Sequence, residues 1–256
     1  MAKSPAIIDN RIEMCSRCYA VRMMPHEVDI ADIYDKWDQA YADAMKLIVD
    51  GKIDEGKELL EELYRRKYNR AGHTLAYGYS AGWFGETDWK KYLSLVYALV
   101  KKGYPAAFSD YGFCYDCGIG AQKSIRWAIY WYRKAADLGV TAAMVNLSQI
   151  YLFRDEKYRD VKQGLLYAFM AADYDDEQAQ NFLGLCYEEG IGVLKDYEKA
   201  YHWFSLAVEN GAGACAEHNL ARCFRLGRGI SADMEIAKKY EALAVKHGFP
   251  KQKKKQ

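Results

Sequence analysis

The stretch AQNFLGLCYEEGIGVLKDYEKAYHWF at residues 179–204 contains two apolar stripes, each with the spacing of one face of an α-helix. In the first stripe, Ala179, Leu183 and Tyr187 recur every four residues. The second stripe begins at Ala200 and continues with apolar residues three, four and seven positions later. The stretch therefore predicts two amphipathic helices that follow one another in the chain.

Residues that favour turns and helix ends lie between and around the two stripes. Gly190 and Gly192 suit the left-handed backbone of a tight turn, and Asp196 suits a helix start, where its carboxylate satisfies free N–H groups. The small residue Gly184 lets the second helix approach the first closely. Gly211 marks the end of the second helix. Together these residues predict a helical hairpin.

The same pattern returns along the chain with a period near 36. It recurs position by position at 107–139 and with smaller changes at 71–103 and 216–248. The copy at 143–175 keeps the apolar residues but has lost the glycines. A degenerate copy fits roughly residues 35–70, where two helical patterns are separated by DGKID.

A single hairpin of this kind cannot bury both of its apolar stripes, so neighbouring hairpins must stack. We therefore predict an all-α fold, a right-handed superhelical α-solenoid of about six helix-turn-helix repeats. The expected organisation is an N-terminal segment or cap at 1–34, the solenoid at 35–249 and a basic C-terminal tail at 250–256. The 256 residues, 51% of them apolar and 28% charged, agree with a folded protein.

The order and spacing of the residues in 179–204 resemble the Sel-one-like repeat family, whose members are related to tetratricopeptide repeats. Its elements are an alanine, a Leu-Gly pair, a tyrosine, two turn glycines, an aspartate and a tryptophan followed by a second aromatic residue. Residues 107–139 and 179–211 carry the resemblance most strongly. The resemblance implies an α-solenoid that binds other proteins or peptides and usually has no catalytic activity of its own.

Charge and hydropathy argue against several other classes of protein. The net charge of +1 gives no overall field for binding nucleic acid or an anionic membrane. The longest apolar run, Tyr92 to Val100, is too short to cross a bilayer, and residues 1–14 lack the continuous apolar region of a signal peptide. We expect a cytoplasmic protein with seven free cysteines.

Two C-x2-C pairs, at 15–18 and 114–117, could in principle supply four thiolates to a zinc ion. However, Cys114 lies at the repeat position also occupied by Cys186 and Cys223, where a small buried side chain suits helix packing. We therefore assign Cys114 to the core and expect no metal and no cofactor. Whether the pair at 15–18 binds metal stays open.

The sequence contains no local constellation that indicates catalysis. None of the five histidines stands in an H-E-x2-H context, and no turn glycine leads into the G-K-[ST] of a phosphate loop. The resemblance also includes a secreted, disulfide-linked branch with hydrolase activity, which we disfavour because Ala207 and Val208 occupy the position of the cysteine that would bond to Cys215. We expect a non-catalytic adaptor, with an immunity-type inhibitor of one enzyme or toxin as the alternative.

In solenoids of this kind the first helix of each hairpin lines the concave face, so its outward positions are candidates for binding a protein or peptide partner. The candidate partner-binding residues are His73, Tyr77, Phe113, Gln149, Phe153, Asn181, Glu188, His218, Arg222 and Arg225.

The middle of this set is apolar, whereas Arg222 and Arg225 lie three residues apart near its end. Such a groove suits a partner segment with an acidic or carboxylate end. Alternatively, several of these residues pack against the next repeat, or Arg225 pairs with Glu188 or Glu189. The oligomeric state stays open.

Overall fold

The computed structural model describes residues 37–154 and 156–250, and this part of the chain is all α-helical, with twelve α-helices and no strand. The all-α prediction is confirmed. The described residues fall into two compact units that meet in sequence between Val140 and Thr141. Within the units, consecutive helices pair into hairpins that repeat along the chain, which is the solenoid architecture expected from the sequence.

The unit that ends at Val140 contains three hairpins. Its helices are α1 (Asp38–Val49), α2 (Ile53–Arg65), α3 (Asn69–Ala81), α4 (Trp89–Lys101), α5 (Pro105–Cys117) and α6 (Ile125–Ala136). One core cluster, which includes Leu60 and Leu75, joins the first two hairpins. A second cluster, which includes Val96 and Cys114, joins the second hairpin to the third. The degenerate copy predicted at roughly 35–70 is therefore a complete hairpin.

The unit that begins at Thr141 also contains three hairpins. Its helices are α7 (Thr141–Gln149), α8 (Val161–Ala172), α9 (Glu177–Glu189), α10 (Tyr197–Glu209), α11 (Ala214–Leu226) and α12 (Met234–Lys246). Phe204 on α10 packs with Leu220 and Cys223 on α11, so the core continues from one hairpin to the next. Apolar burial between neighbouring hairpins is what holds such an array together.

The turn and cap residues behave as the sequence predicts. Gly190 and Gly192 have φ angles of +73° and +68°, which a residue with a side chain adopts only at a cost. The carboxylate of Asp196 accepts a hydrogen bond from the backbone N–H of Lys199 at 3.0 Å, and this bond lowers the pKa of Asp196. A Cβ at Gly184 would lie 2.5 Å from the Phe204 ring, so only glycine allows this approach of α10.

The hairpin at 141–174 departs from the others where its sequence has lost the turn glycines. Helix α7 ends at Gln149 and continues as a π-helical turn at Ile150–Arg154, and a short 3-10 helix follows at Glu156–Tyr158. Without a glycine to adopt the left-handed conformation, the backbone leaves the helix by widening its last turn.

Two parts of the predicted organisation lie outside the described residues. These are the N-terminal segment at 1–34 and the basic tail after Pro250. Their assignment as separate parts of the chain stays a prediction. Across 37–154 and 156–250, none of the helices combines the length and the apolar character needed to cross a membrane.

Candidate functional site

The predicted partner-binding residues are divided between the two units. His73, Tyr77 and Phe113 belong to the unit that ends at Val140, and the other seven belong to the unit that begins at Thr141. All ten are at least half-buried; three of them, Tyr77, Asn181 and Glu188, are buried to more than nine tenths. Most of these side chains therefore already make contacts within the chain, as the packing alternative predicted.

The most polar group of contacts surrounds Glu188, near the end of α9. Its carboxylate accepts a hydrogen bond from Arg222 Nε at 3.1 Å and one from Arg228 Nη1 at 2.8 Å, and it also contacts Arg222 Nη2. Glu188 is 1% exposed and the Arg222 side chain 12% exposed, whereas the Arg228 side chain is 35% exposed. We call Glu188, Arg222 and Arg228 the Glu188 cluster.

These contacts correct the expected geometry of the arginine pair. Arg222 and Arg225 do not present two open guanidinium groups side by side, because Arg222 bonds Glu188 and Arg225 pairs with Glu241 on α12. The sequence alternative named Glu188 or Glu189 as the partner of Arg225, whereas the structure pairs Arg225 with Glu241 and Glu188 with Arg222 and Arg228. The reason is the position of α12, which places Glu241 beside Arg225 and leaves Glu188 facing Arg222.

Sequence reasoning missed Arg228 because it lies in the turn after α11, outside the first-helix positions that were considered. The Glu188 carboxylate reaches it across 40 residues of sequence. Burial alone would lower the pKa of Arg228, but the hydrogen bond and negative charge of Glu188 outweigh burial and raise it. The one signal in the sequence was the positive charge of Arg228, because a glutamate that is buried, such as Glu188, requires a cationic partner.

Other predicted residues in the same unit make pairwise contacts. Asn219 Nδ2 donates a hydrogen bond to Asn181 Oδ1 at 2.8 Å. The ring of His218 stacks on Phe249 with 4.0 Å between centroids. The ring centroid of Phe153 lies 5.6 Å from that of Phe182. The seventh predicted residue, Gln149, is half-buried at the end of α7.

In the unit that ends at Val140, His73 is paired with a buried acid. His73 Nε2 lies 2.8 Å from Asp110 Oδ2, and the His73 ring also contacts Tyr104. Burial lowers the pKa of His73, but the charge of Asp110 and its hydrogen bond outweigh burial and raise it. This pairing links α3 to α5.

The two aromatic candidates in this unit contact their surroundings differently. Tyr77 packs edge-on against Trp83 with 4.9 Å between ring centroids, and burial raises its pKa. Phe113, on α5, is half-buried.

Metal chemistry has no candidate site in the described residues, where no group of three or more His, Cys, Asp or Glu side chains could hold an ion. Cys114 is fully buried, and burial raises the pKa of its thiol to about 12. Cys114 therefore belongs to the core, as its repeat position predicted. The cysteine pair at 15–18 lies outside the described residues.

A cleft of about 390 Å³ lies among α2, α3 and α4, and sequence reasoning missed it. Its apolar lining includes Leu75, Leu95 and Tyr79, and the ammonium of Lys91 lies 4.8 Å from the Tyr79 ring centroid. Three helices contribute to the cleft, so no single helical stripe could have revealed it.

The Sel1 repeat model matches residues 107–140, 141–174, 177–211 and 216–249, just over half of the chain. The chain belongs to the Sel1 repeat family. The match includes 141–174, whose sequence kept only the apolar positions. The α3–α4 hairpin lies outside the matched ranges, although its fold is that of the other repeats.

Solved Sel1 structures share the fold. A Sel1 repeat protein from Oxalobacter formigenes is 25% identical, with a TM-score of 0.71 over 82% of this chain and 85% of that one. An immunity protein from Pseudomonas aeruginosa is 25% identical, with a TM-score of 0.61 over 83% of this chain and 82% of that one.

A curated relative shares a shorter segment. Chitin synthase regulatory factor 3 from Schizosaccharomyces pombe is 35% identical over 112 residues, which is 43% of this chain. The chain spans only 12% of that relative's length. The similarity is therefore confined to a short part of a much larger protein.

Proposed function

We propose that this chain is a non-catalytic adaptor that binds a protein or peptide through outward side chains of its first helices and of the turn that follows α11. Sel1 repeat proteins are generally protein-interaction modules, and the fold is typically a non-catalytic scaffold. The observation that carries the proposal is the Glu188 cluster, in which two arginines face one carboxylate.

In this cluster two guanidinium groups share one buried carboxylate in a fixed geometry, and the negative charge of Glu189 also acts on Arg228. Each guanidinium group has five N–H donors, and Glu188 occupies only three of the ten or so that Arg222 and Arg228 provide together. The Arg228 side chain is 35% exposed, so some of its other donors face solvent. A partner carboxylate, from a C-terminus or an acidic side chain, would match this charge and these donors.

The proposal is tested by isolating the partner from the native host by affinity purification and measuring its affinity by calorimetry. Replacing the half-exposed Arg228 with glutamine should weaken binding about tenfold or more and should reduce its salt dependence. Lys239→Gln, an exposed position on α12, is the matched control and should bind like wild type. Wild-type affinity for the Arg228→Gln variant contradicts this site.

An immunity-type function is the second candidate, and its support is the likeness to the Pseudomonas aeruginosa immunity protein along most of both chains. In that case the purified partner is itself an enzyme or toxin. One equivalent of this chain should then suppress its activity. Binding without any loss of the partner's activity favours the adaptor instead.

A cytoplasmic location accompanies both candidates as a proposal. It is supported by the odd cysteine count of seven, since thiols stay reduced in that compartment. Fractionation of the native host should recover the chain with cytoplasmic markers, and recovery from the culture medium contradicts the proposal.

A further inference from the structure

A continuous network of aromatic rings lies on α4, α5 and α6, and the first-helix predictions do not include it. Tyr97 contacts Tyr111, which in turn contacts Tyr115 and Trp131. Further contacts join Tyr115 to Trp127, Trp127 to Tyr130, and Tyr130 to Trp131, with ring centroids 5.1–6.1 Å apart. We call the rings of Tyr97, Tyr111, Tyr115, Trp127, Tyr130 and Trp131 the aromatic face.

About half of the surface of several of these rings is exposed. Trp127 is 51%, Tyr97 46% and Tyr130 45% exposed. Isolated exposed aromatic residues are ordinary, but contiguous exposed rings leave a large apolar area in contact with water. Removing that area from water would favour association with another molecule.

The exposed charged residues on α4, α5 and α6 have one sign, and acids stand at the ends of this stretch, where Asp88 pairs with Lys91 and Asp137 follows α6. Between Asp88 and Asp137, every exposed charged residue is a lysine or arginine, and the two acids, Asp110 and Asp116, are buried. The basic residues are Lys90, Lys91, Lys101, Lys102, Lys123, Arg126, Arg133 and Lys134. The chain as a whole has a net charge of only +1, so this is a local concentration of positive charge.

Two of the lysines lie directly against the rings. Lys101 Nζ is 4.4 Å from the Tyr97 ring centroid. Lys134 Nζ is 5.2 Å from the Trp131 centroid and 5.3 Å from the Tyr130 centroid. An acidic group placed beside these ammonium groups would have an apolar surface next to it.

The repeat shows that the fold does not require the outward rings of Trp127 and Tyr130, whereas Tyr111, Tyr115 and Trp131 lie at framework positions. Helix α10 occupies the position of α6 seventy-two residues later and keeps the framework residues, a partly buried tryptophan followed by a buried aromatic ring. The side chains at the outward positions differ between the two helices. With the α6 residue first and its α10 counterpart second, the pairs are Arg126 and Glu198, Trp127 and Lys199, Tyr130 and His202, and Lys134 and Leu206.

We infer that the aromatic face is a second interaction surface, and that its occupant is an acidic partner segment with interspersed aromatic or proline side chains. Charge complementarity to the lysines and arginines selects the acidic residues. The rings meet mostly edge to face, at interplanar angles of 71–85° in four of the contacts. Aromatic side chains of a partner can extend the same edge-to-face arrangement.

The test uses a short fluorescein-labelled peptide in which glutamate alternates with phenylalanine and proline, titrated with the full chain and followed by fluorescence anisotropy. Binding is expected below about 1 mM at low salt. The double substitution Trp127→Lys with Tyr130→His takes its residues from α10, so it should fold, and it should weaken binding about tenfold or more. Circular dichroism verifies the fold.

Charge is tested separately. Lys101→Glu with Lys134→Glu should weaken binding and reduce its salt dependence. Lys238→Glu with Lys239→Glu on α12 makes the same change of charge elsewhere and should have no comparable effect. A version of the peptide with serine in place of phenylalanine should bind more weakly.

Three outcomes overturn the inference. One is the absence of peptide binding, or peptide binding that changes neither with the Trp127 and Tyr130 substitutions nor with the Lys101 and Lys134 substitutions. Another is tighter binding to oligothymidylate than to the peptide, which would assign the face to nucleic acid. The third is self-association that the same substitutions abolish, which would assign it to a second copy. Arg228 plays no part here, so this inference and the proposed function fail independently.

Discussion

Replacing Glu188 with alanine should lower the unfolding free energy of the unit that begins at Thr141 by about 3–5 kcal/mol. The magnitude follows from burial, because Glu188 is 1% exposed and the Arg222 side chain 12% exposed. Without the carboxylate, Arg222 becomes a largely buried cation that has lost its counter-charge, and Arg228 loses a hydrogen bond of 2.8 Å.

The chain provides a matched control in which the same two residue types meet at the surface. Glu241 pairs with Arg225, and the two side chains are 37% and 33% exposed. Surface ion pairs contribute about 0–1 kcal/mol, so Glu241→Ala should cost no more than that. Glu188→Gln keeps one carbonyl oxygen for the arginines and should cost about 1.5–3 kcal/mol.

The assay is urea denaturation followed by far-ultraviolet circular dichroism, with each variant measured against wild type under identical conditions. The order of stability should be wild type, Glu241→Ala, Glu188→Gln and then Glu188→Ala. Equal losses for the two alanine variants would refute the reasoning, because they would show that burial does not set the strength of these pairs.

Three further outcomes are expected from the described contacts. Because Asp110 raises the pKa of His73 above its unfolded value of about 6.5, the unfolding free energy should fall as the pH rises from about 6.5 through the folded pKa. His73→Gln should remove that part of the pH dependence in urea titrations, and an unchanged dependence contradicts the pairing. Iodoacetamide at about pH 8 should modify the exposed Cys117 in the native protein but not Cys114, whose pKa burial raises to about 12; peptide mapping by mass spectrometry measures both. Gly192→Ala should cost about 1–3 kcal/mol in the urea assay, since its φ is +68° and a Cβ would lie 2.2 Å from a side-chain carbon of α8; wild-type stability would show that the turn relaxes.

The features that sequence predicted correctly are local ones. The apolar stripe of α9 and the glycines at 190 and 192 depend on neighbours within a few residues, so their spacing alone predicts a helix and a turn. The cap at Asp196 involves an N–H three residues away. The repeat then supplied the rest of the fold, because each hairpin must cover the apolar face of the next.

The features that sequence reasoning missed join residues far apart in the chain. Glu188 meets Arg222 across 34 residues and Arg228 across 40, and the second of these lies in a turn. The aromatic face requires three helices to meet at their surfaces. The spacing rule for outward positions identified Arg222 and Arg225 as a pair, but it contained no information about which carboxylate each guanidinium group would meet.

One position of the repeat has residues of very different chemistry in successive copies, although the hairpins share one fold. Successive copies place Asp116, Leu152, Glu188 and Arg225 there, so an acid, an apolar residue and a base occupy equivalent sites. The first three are buried and Arg225 is partly buried, and Glu188 and Arg225 are each paired with an opposite charge from another helix or turn. The fold therefore accommodates an acid, an apolar residue or a base at this position, and the charged side chains of Glu188 and Arg225 are each compensated by a partner of opposite charge. By the same reasoning, an outward position whose charge or ring is not required by neighbouring repeats is where recognition should be sought, and Trp127, with Lys199 as its counterpart, is such a position.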